Sequence, residues 1–366
     1  MNIQSKNMDN FARIDSMAGS NPALIYKQVP QGEPVPGQDI VVEDIDSPSE
    51  APEGGLLVQV LYSSLDPYLR GLLRDPKIPS YFPPLETGNA LRNSGIAKVL
   101  KSSSADFKEG DIIVANLPIQ RYAQISSEVV KSAKKIDADP NDKSLDIRHY
   151  VGALGMPGLT GYSGFYEIGK PKKGETIFVS SAAGAVGQVV GQLAKHEGLK
   201  VIGSVGSDEK LKYIISELGF DSGFNYKKEK PADALKRLAP KGIDIYFENV
   251  GSDHLDAAIE SMNTFGRIIA CGMVAEYNAK SDDERHGHKK LMLIVGKQLT
   301  MRGFLVNEDP DLGPKHSADH QKNVKQWLKD GSFTAKVHEY DISEADKGFV
   351  GMLRGENFGK AVVKTS

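Results

Sequence analysis

A glycine-rich turn in the middle of the chain has the residue spacing of a phosphate-binding loop. The stretch SSAAGAVGQVVG (180–191) puts Ala182, Gly184 and Gly187 at the three positions of a G-x-G-x-x-G pattern, with alanine in the first. Glycine at the second position lets the backbone approach a pyrophosphate, and glycine at the third lets the next helix pack closely on a sheet. The amides that begin that helix attract negative charge. Such a pattern also occurs in ordinary tight turns, but its position between a strand and a helix favours a dinucleotide site.

The residues that follow the next strand distinguish between the two nicotinamide dinucleotides. Sites for NAD usually carry Asp or Glu about 20 residues beyond the glycine turn. The corresponding stretch here is Ser204, Val205, Gly206 and Ser207, which contains no carboxylate to repel a 2′-phosphate. Lys210 lies in the first turn of the next helix, an unfavourable place for a cation unless an anion is near. Alone, Lys210 would be interpreted as a solvated lysine, but together Ser204, Ser207 and Lys210 favour NADPH.

The residue types that a catalytic metal or a hydrolase would need are missing. The chain has a single cysteine, Cys271, and its only histidine before residue 196 is His149. A catalytic zinc site needs several Cys, His or carboxylate ligands, so we expect no catalytic metal. His286 and His288 lie in the polar stretch DDERHGHKK, which is typical of a solvated loop. The sequence also contains no G-x-S-x-G or Walker A motif.

The elements around the glycine turn alternate between strands and helices. Strands are expected at 176–182, 200–206, 243–250 and 266–272, with helices between them at 185–198, 208–219 and over DHLDAAIESM, and one more helix and strand in 289–306. This alternation predicts a doubly wound parallel sheet with helices on both faces. Residues 54–65 and 92–126 instead form short β-rich runs, typical of a partly open barrel, and the last forty residues are expected to return to short strands.

This layout divides the chain into four parts. We expect a loose tail at 1–20, a β-rich domain at 21–150, a nucleotide-binding domain at 151–326 and a return to the β-rich domain at 327–366. The tail contains Asp9 and Asp15 and no apolar run, so it resembles neither a presequence nor a secretory signal.

The composition excludes several classes of partner. Of the 366 residues, 40% are apolar and 25% are charged, with 45 Lys and Arg against 48 Asp and Glu. Nothing in these totals demands the basic face that nucleic-acid binding needs, and no apolar run reaches the length of a membrane span. A single thiol fits a reducing compartment, so we expect a cytoplasmic protein that binds neither nucleic acid nor membrane.

The motifs taken together resemble one known family. They include LYSSLDPYLRG, LGMPGLTGY, SAAGAVG, VGSDEK, ENVG, CGM-x-x-x-YN and GENFGK, and they cover nearly the whole chain from about residue 20. This string is similar to the zinc-independent branch of the medium-chain dehydrogenase/reductase superfamily, which contains prostaglandin reductase and the plant NADPH-dependent alkenal double-bond reductases. The resemblance implies an α/β protein with a GroES-like β domain and a Rossmann domain, a homodimer, and reduction of α,β-unsaturated ketones and aldehydes.

The resemblance also assigns residues to sites. It implies that the pyrophosphate lies on Gly184, Ala185, Val186 and Gly187, and that Lys210 and Tyr226 contact the 2′-phosphate and the adenosine. Asn249, Cys271, Gly272 and Asn357 would border the cofactor. Tyr277 would lie beside the nicotinamide with a catalytic role, and Tyr68 would line the substrate cleft, also as a candidate catalytic residue. The segment 81–99 is longer and more polar than in relatives. The resemblance therefore does not decide the form of the substrate pocket or whether Tyr81 contacts the substrate, as we expect.

Three other functions remain open at this point. A quinone oxidoreductase uses the same scaffold and cofactor, and a 2-enoyl-thioester reductase would need an extended or basic entrance for its carrier. The chain would also fit a non-catalytic NADPH-binding protein. The expected reaction is hydride transfer from NADPH to the β-carbon of an enone or enal, with the enolate oxygen stabilised by Tyr277 or by the cofactor ribose.

Overall fold

The computed structural model describes residues 19–136 and 144–366. The expected N-terminal tail lies outside the described residues except for Gly19 and Ser20. The strands are β1 (Asn21–Tyr26), β2 (Ile40–Ile45), β3 (Leu56–Ser64), β4 (Arg92–Ser102), β5 (Ile112–Pro118), β6 (Tyr122–Ile125), β7 (Lys134–Lys135), β8 (Thr176–Val179), β9 (Lys200–Val205), β10 (Ser222–Asn225), β11 (Ile243–Glu248), β12 (Met262–Ala270), β13 (Thr300–Gly303), β14 (Val337–Asp341) and β15 (Lys360–Lys364). The α-helices are α1 (Leu69–Leu72), α2 (Ser127–Val130), α3 (Met156–Ser163), α4 (Gly187–His196), α5 (Asp208–Ser216), α6 (Pro231–Leu238), α7 (Ser252–Ser261), α8 (Met292–Gly296), α9 (Gly313–Asp330) and α10 (Ala345–Leu353).

Strands β8 to β13 form a six-stranded parallel sheet in the order β10-β9-β8-β11-β12-β13. Its strands are short apolar runs such as TIFV in β8, as expected for strands covered on both faces by helices. The strand order reverses between β8 and β11, and α/β sheets bind ligands in the crevice beyond the carboxyl ends of the strands at such a reversal. The doubly wound Rossmann fold expected from the sequence is confirmed.

Helix α4 packs closely on this sheet because glycines stand where the two meet. A Cβ atom on Gly191 would lie 2.0 Å from the Phe220 ring, and one on Gly203 would lie 2.8 Å from the Cβ atom of Ala182. Glycine at these two positions therefore keeps α4 close to the segment that precedes β10 and keeps the turn before α4 close to β9.

The β-rich part of the chain forms a second sheet, in which the end of the chain pairs with its beginning. The order is β14-β15-β3-β4-β5-β7, with β6 on β3, and β15 runs antiparallel to β3. Apolar side chains of β3, β4 and β5, among them Val58, Val99 and Ile113, are buried in a core of their own. This arrangement matches the expected GroES-like domain.

The last forty residues contain more helix than the sequence analysis expected. Besides strands β14 and β15 they hold helix α10 and the end of α9, which crosses the predicted boundary at 326/327. Gly348 and Gly351 weaken the helical pattern of α10 because glycine is a poor helix former. The structure explains Gly348, since a Cβ atom there would lie 2.7 Å from the Tyr340 ring.

Two glutamines of α4 hold the C-terminal segment against the nucleotide-binding domain. The Gln188 side chain bonds to both the amide and the carbonyl of Lys336, and Gln192 does the same with Thr334, at 2.8–3.2 Å. The segment that follows is thereby directed past the glycine turn. Among the described residues, no helix is both long and apolar enough to cross a membrane.

Candidate active site

The glycine turn lies at the point where the order of the parallel strands reverses. Asn249, which follows β11, donates from its side chain to the Ser180 carbonyl at 2.7 Å, and its backbone amide donates to the Ser180 hydroxyl at 2.9 Å. These bonds join the ends of β8 and β11 and set the width of the crevice. The side-chain amide of Asn249 is used within the protein, so this residue shapes the site from below.

The start of α4 offers backbone donors to an anion. Within the described chain no side chain caps this helix, whose first position is Gly187. A Cβ atom on Gly187 would lie 2.3 Å from the carbonyl of Ser181, so glycine is required there. Ala185 and Val186, just before the helix, are half-buried. The Gln188, Val189 and Val190 amides already bond to the carbonyls of Gly184 and Val186, so the attraction for a pyrophosphate comes from the positive end of the helix dipole and from the backbone that precedes these residues.

The C-terminal segment reaches the same turn. Gly359 forms a β-bridge with Gly184. A Cβ atom on Gly359 would lie only 2.1 Å from the Lys336 carbonyl, and its φ is +78°, so this position needs glycine as well. Asn357 donates to the Gly359 carbonyl at 2.6 Å and lies half-buried beside the turn. The structure therefore brings Asn357 to the predicted pyrophosphate site.

The end of β9 carries two lysines that are close to each other. The Lys210 ammonium donates to the Gly355 carbonyl at 2.6 Å. Burial, followed by the charge of Lys227, lowers its pKa, and the carboxylates of Glu209 and Glu356 act in the opposite direction. A partly buried ammonium that is repelled by a second lysine favours an anionic ligand. Tyr226 lies over this end of the strand, its hydroxyl 3.1 Å from where a Cβ of Gly206 would be.

The carboxylate at the start of α5 is already paired. Asp208 accepts a bond from the Asn225 side chain at 2.9 Å and forms an ion pair with Lys228. The Asn225 bond, followed by the bond from Lys228, holds the pKa of Asp208 below its usual range. This negative charge is thus directed away from Lys210.

The two serines predicted around this strand differ in position. Ser207 caps helix α5, its hydroxyl accepting the Lys210 amide at 3.2 Å, and it remains partly accessible. Ser204 is 1% exposed and lies within strand β9. Of the two, Ser207 is at the open edge with Lys210, whereas Ser204 is enclosed by the sheet.

Tyr277 lies at the end of β12, one strand beyond the reversal. The amides of Cys271 and Gly272 bond to the Glu248 carbonyl, so the chain turns across the end of β11. The Tyr277 hydroxyl is 3.1 Å from where a Cβ atom of Gly272 would be, so glycine leaves room for the phenol. Burial raises the pKa of Tyr277 to about 12, and that of the Cys271 thiol likewise to about 12. Both groups are protonated at neutral pH, and Tyr277 is available as a hydrogen-bond donor.

Tyr68 belongs to a buried polar network in the β-rich domain. Its hydroxyl lies 2.8 Å from Oδ1 of Asn93. The Asn93 amide nitrogen donates to Asp66 and to the Ser64 carbonyl, both at 2.9 Å. Asp66 in turn pairs with Lys360 at 2.9 Å, and Asp66, Asn93 and Lys360 are all at most 4% exposed. The aromatic ring is therefore held from behind by a fully satisfied buried ion pair.

This network fixes the direction of the Tyr68 hydroxyl. Both partners of the Asn93 nitrogen are pure acceptors, so the amide can have only one orientation. Its oxygen then faces Tyr68, which must donate the hydrogen bond. The phenolic proton points into the protein, and a ligand in the cleft would meet the lone pairs of Tyr68.

Tyr81 borders the same space from an exposed segment. It is 57% exposed and packs edge-on against Phe82, with ring centroids 5.0 Å apart, and Phe82 lies 6.1 Å from Tyr68. Burial raises the pKa of Tyr68 and of Tyr277, and the neighbouring Tyr81 hydroxyl adds to both shifts. The Arg74 guanidinium holds this segment by bonds to the carbonyls of Ile78 and Phe82 at 2.9 and 2.5 Å. Tyr68 and Tyr81 thus both contact Phe82, and the space between them and Tyr277 is the candidate cleft.

A buried arginine ties the two walls of the cleft together. Arg70 is 7% exposed and donates to Asn278 Oδ1 at 3.0 Å and to the Gly32 carbonyl at 2.6 Å. Asn278 directly follows Tyr277, and Arg70 lies two residues after Tyr68. The guanidinium therefore fixes the spacing between the two tyrosines.

Both halves of the chain match protein-family models. Residues 23–133 match the N-terminal domain of oxidoreductase, and residues 185–318 match the zinc-binding dehydrogenase model. Over 94% of its length the chain is 48% identical to the NADP-dependent oxidoreductase RED1 of Cochliobolus heterostrophus, covering 97% of that protein. The chain belongs to the zinc-independent medium-chain dehydrogenase/reductase family. This confirms the resemblance inferred from its motifs.

Two further relatives of this medium-chain reductase are informative. A 2-alkenal reductase (NADP(+)-dependent) of Nicotiana tabacum is 40% identical, and the match covers 95% of this chain and 98% of that protein. The crystal structure of CurA from Vibrio vulnificus in complex with NADPH superposes with a TM-score of 0.84 at 32% identity, covering 94% of this chain and 99% of CurA. By its family, this chain is therefore an NADP-dependent oxidoreductase.

Several residues that build the site of this medium-chain reductase were missed by the sequence analysis. They are Asp66, Asn93 and Lys360 behind Tyr68, Arg70 and Arg74 at the cleft wall, and Lys227 beside Lys210. The sequence could have indicated Asp66, which lies in the DPY turn, and Lys360, a lysine next to the apolar run AVV. It gave no indication of Asn93 and Arg70, because their partners are distant in the sequence.

Proposed function

We propose that this medium-chain reductase uses NADPH to reduce the carbon–carbon double bond of α,β-unsaturated ketones and aldehydes. The observation that carries the proposal is the position of the Tyr277 hydroxyl, which lies beside Gly272 just beyond β12 and is kept protonated by burial, which raises its pKa to about 12. The tobacco relative named as a 2-alkenal reductase supports the same reaction class.

The residues of the site fit NADPH. The uncapped start of α4 and the backbone at Gly184 would hold the pyrophosphate, with Asn357 beside it. Lys210, Lys227 and Ser207 would contact the 2′-phosphate, and Tyr226 would cover the adenosine. Asn249 and the Cys271–Gly272 backbone would form the floor below the nicotinamide. When bound, NADPH supplies the hydride that goes to the β-carbon of the substrate.

Tyr277 acts on the opposite end of the conjugated system. As the double bond is reduced, negative charge develops on the carbonyl oxygen as an enolate. A hydrogen-bond donor already in place at that oxygen contributes about 3 kcal/mol to transition-state stabilisation. The pKa of Tyr277, raised to about 12 by burial, keeps its proton available for this bond.

The roles of the other two tyrosines differ from that of Tyr277. Because Tyr68 donates its proton to Asn93, it offers a substrate an acceptor and an aromatic wall and does not stabilise an oxyanion. Tyr81 would close the cleft from the segment that Arg74 holds in place and would contact the substituent of the substrate. A proton from water at the α-carbon completes the reaction, which consumes one NADPH and one proton for each double bond.

The experiment is a panel of unsaturated carbonyls, quinones and 2-enoyl thioesters, followed by NADPH absorbance with identification of the products. We expect saturated ketones and aldehydes as products and the highest kcat/KM on enones or enals. A preference for quinones would indicate a quinone oxidoreductase, and a preference for thioesters would indicate a 2-enoyl-thioester reductase. Tight NADPH binding without turnover on any acceptor would indicate a non-catalytic binding protein.

We further propose that the reductase is a homodimer in the cytoplasm. Strand β13 lies at the edge of the parallel sheet, and apolar side chains nearby are exposed, including Met292 at 80%, Val295 at 73% and Met301 at 36%. Contiguous apolar surface beside a sheet edge favours pairing with a second copy. Light scattering should give about twice the chain mass of 39.7 kDa, and Val295→Asp should give the monomer. Cell fractionation tests the location.

A further inference from the structure

Three potential metal ligands from separate parts of the sequence meet outside the cleft. Asp256 lies on helix α7, and His286 and His288 lie on the loop that connects Tyr277 to α8. Nε2 of His286 is 2.9 Å from one Asp256 oxygen, and Nδ1 of His288 is 3.3 Å from the other. We refer to these three residues as the Asp256 cluster. In the described part of the chain it is the one group of three such ligands whose atoms all lie within 4.8 Å of one another.

The spacing of these atoms is that of ligands around a single ion. Zinc binds imidazole nitrogen and carboxylate oxygen at about 2.0–2.1 Å, so two ligand atoms in a tetrahedron are about 3.3 Å apart. The separation at His288, 3.3 Å, equals this value, and the one at His286, 2.9 Å to the other carboxylate oxygen, is somewhat shorter. The imidazole rings meet edge-on at an angle of 67° with centroids 5.0 Å apart, and one nitrogen of each ring lies within 4.8 Å of the other and of the carboxylate.

The surroundings hold the carboxylate in place. Its side chain is 14% exposed, and the Lys289 amide donates to it at 3.3 Å. His286 and His288 are 31% and 21% exposed, so an ion and a completing water would have access from solvent. A half-buried carboxylate fixed by a backbone donor is typical of an oriented metal ligand.

We propose that Asp256, His286 and His288 form a binding site for a divalent transition metal of the zinc class, separate from the catalytic cleft. Two imidazoles favour such ions over Mg²⁺ and Ca²⁺, which prefer oxygen ligands. With three protein ligands, the fourth position is open to water.

The site would fasten a loop that begins next to the catalytic tyrosine. The His286 amide also donates to the Glu276 carboxylate at 3.3 Å, and Glu276 precedes Tyr277. An ion joining both histidines to α7 therefore stabilises the loop on the nucleotide-binding domain without contact with substrate or cofactor. Its expected effect is on stability, and the reaction itself needs no metal.

Calorimetric titration of zinc chloride into the untagged full-length protein at pH 7.5 tests this proposal. We expect one zinc ion per chain with micromolar affinity, unaffected by excess Ca²⁺. Asp256→Asn and His288→Gln should each weaken binding at least tenfold. Substitution of cobalt(II) should give the strong visible absorption of a four-coordinate ion.

His316→Gln provides the matched control. The ring of His316 lies 3.2 Å from the Glu167 carboxylate, so this variant removes a histidine–carboxylate pair that has no second imidazole. It should bind zinc as the unmodified protein does. Thermal unfolding without metal shows that each variant is folded. The absence of saturable binding below millimolar zinc, or binding that Asp256→Asn leaves unchanged, would overturn the proposal.

Discussion

The hydroxyl of Tyr68 donates to Oδ1 of Asn93 across 2.8 Å, and the proton of that phenol is thereby directed away from the cleft. For Tyr277, on the facing wall, no acceptor among the described residues fixes the phenolic proton, which stays available to a ligand. Two tyrosines that look equivalent in the sequence are therefore given different chemical roles by what stands behind them.

The first prediction separates these two tyrosines. Tyr277→Phe removes the donor at the enolate oxygen, so kcat on enones should fall by about tenfold or more with little change in NADPH affinity. Tyr68→Phe removes only an acceptor from the cleft, although it also leaves the buried Asn93 Oδ1 without its donor, so kcat should fall by less than in the Tyr277 variant. Steady-state kinetics on both variants measure this. An unchanged kcat for Tyr277→Phe would place the polarising group elsewhere.

A second prediction concerns the 2′-phosphate. Lys210→Ala should weaken NADPH binding by about 1.5–3 kcal/mol, the contribution of a hydrogen bond to a charged group, and should spare NADH. Lys212→Ala, on the same helix, serves as the control for a general change of charge. Dissociation constants from fluorescence titration give the comparison. Equal losses for both cofactors would reject the contact between Lys210 and the phosphate.

A third prediction compares two glycines that share a positive φ. Gly359→Ala puts a Cβ atom 2.1 Å from the Lys336 carbonyl, beside the bridge to Gly184. It should lower the free energy of unfolding by about 2–4 kcal/mol through backbone strain and overpacking, and should weaken NADPH binding. Gly331→Ala, with φ +79° and open space around it, should cost only about 1 kcal/mol. Chemical denaturation measures both, and similar losses would show that packing at Gly359 is unimportant.

A fourth prediction follows from a buried histidine. His320 is fully buried, with its ring 2.9 Å from the Ala153 carbonyl, and burial lowers its pKa from 6.5 to about 4. Between these values the unfolded chain binds a proton that the folded protein does not. The neutral His320 ring therefore contributes about 3 kcal/mol to the free energy of unfolding. This contribution is complete above pH 6.5 and is lost as the pH falls toward 4. His320→Gln should flatten the curve of stability against pH in this window. A curve with an unchanged slope would contradict the assignment.

The parallel sheet could be predicted from the sequence because its signals are local. Short apolar strands and the glycine turn at 184–187 each act over a few residues, and their order gives the Rossmann arrangement. Helix α9 gave little signal, since its eighteen residues bury only Gly313, His320 and Val324. The helical pattern of α10 was obscured by its glycines, of which Gly348 is needed for contact with Tyr340.

The candidate site could be predicted only in part. The glycine turn, Lys210 and Tyr277 follow from motifs, whereas the orientation of the Tyr68 hydroxyl depends on Asn93 and Lys360, 25 and nearly 300 residues away. Contacts of that kind become visible only when the two ends of the chain are joined in one sheet. The enclosed position of Ser204 likewise depends on the neighbouring strand.

The central claim is that hydride is delivered to the β-carbon of a conjugated carbonyl, and deuterium labelling tests it most directly. The reductase is given NADPH that carries deuterium at C4 of the nicotinamide, on the transferred face, together with an enone. We expect one deuterium at the β-carbon of a saturated ketone, determined by NMR of the product. Deuterium at the carbonyl carbon of an unsaturated alcohol would contradict the account.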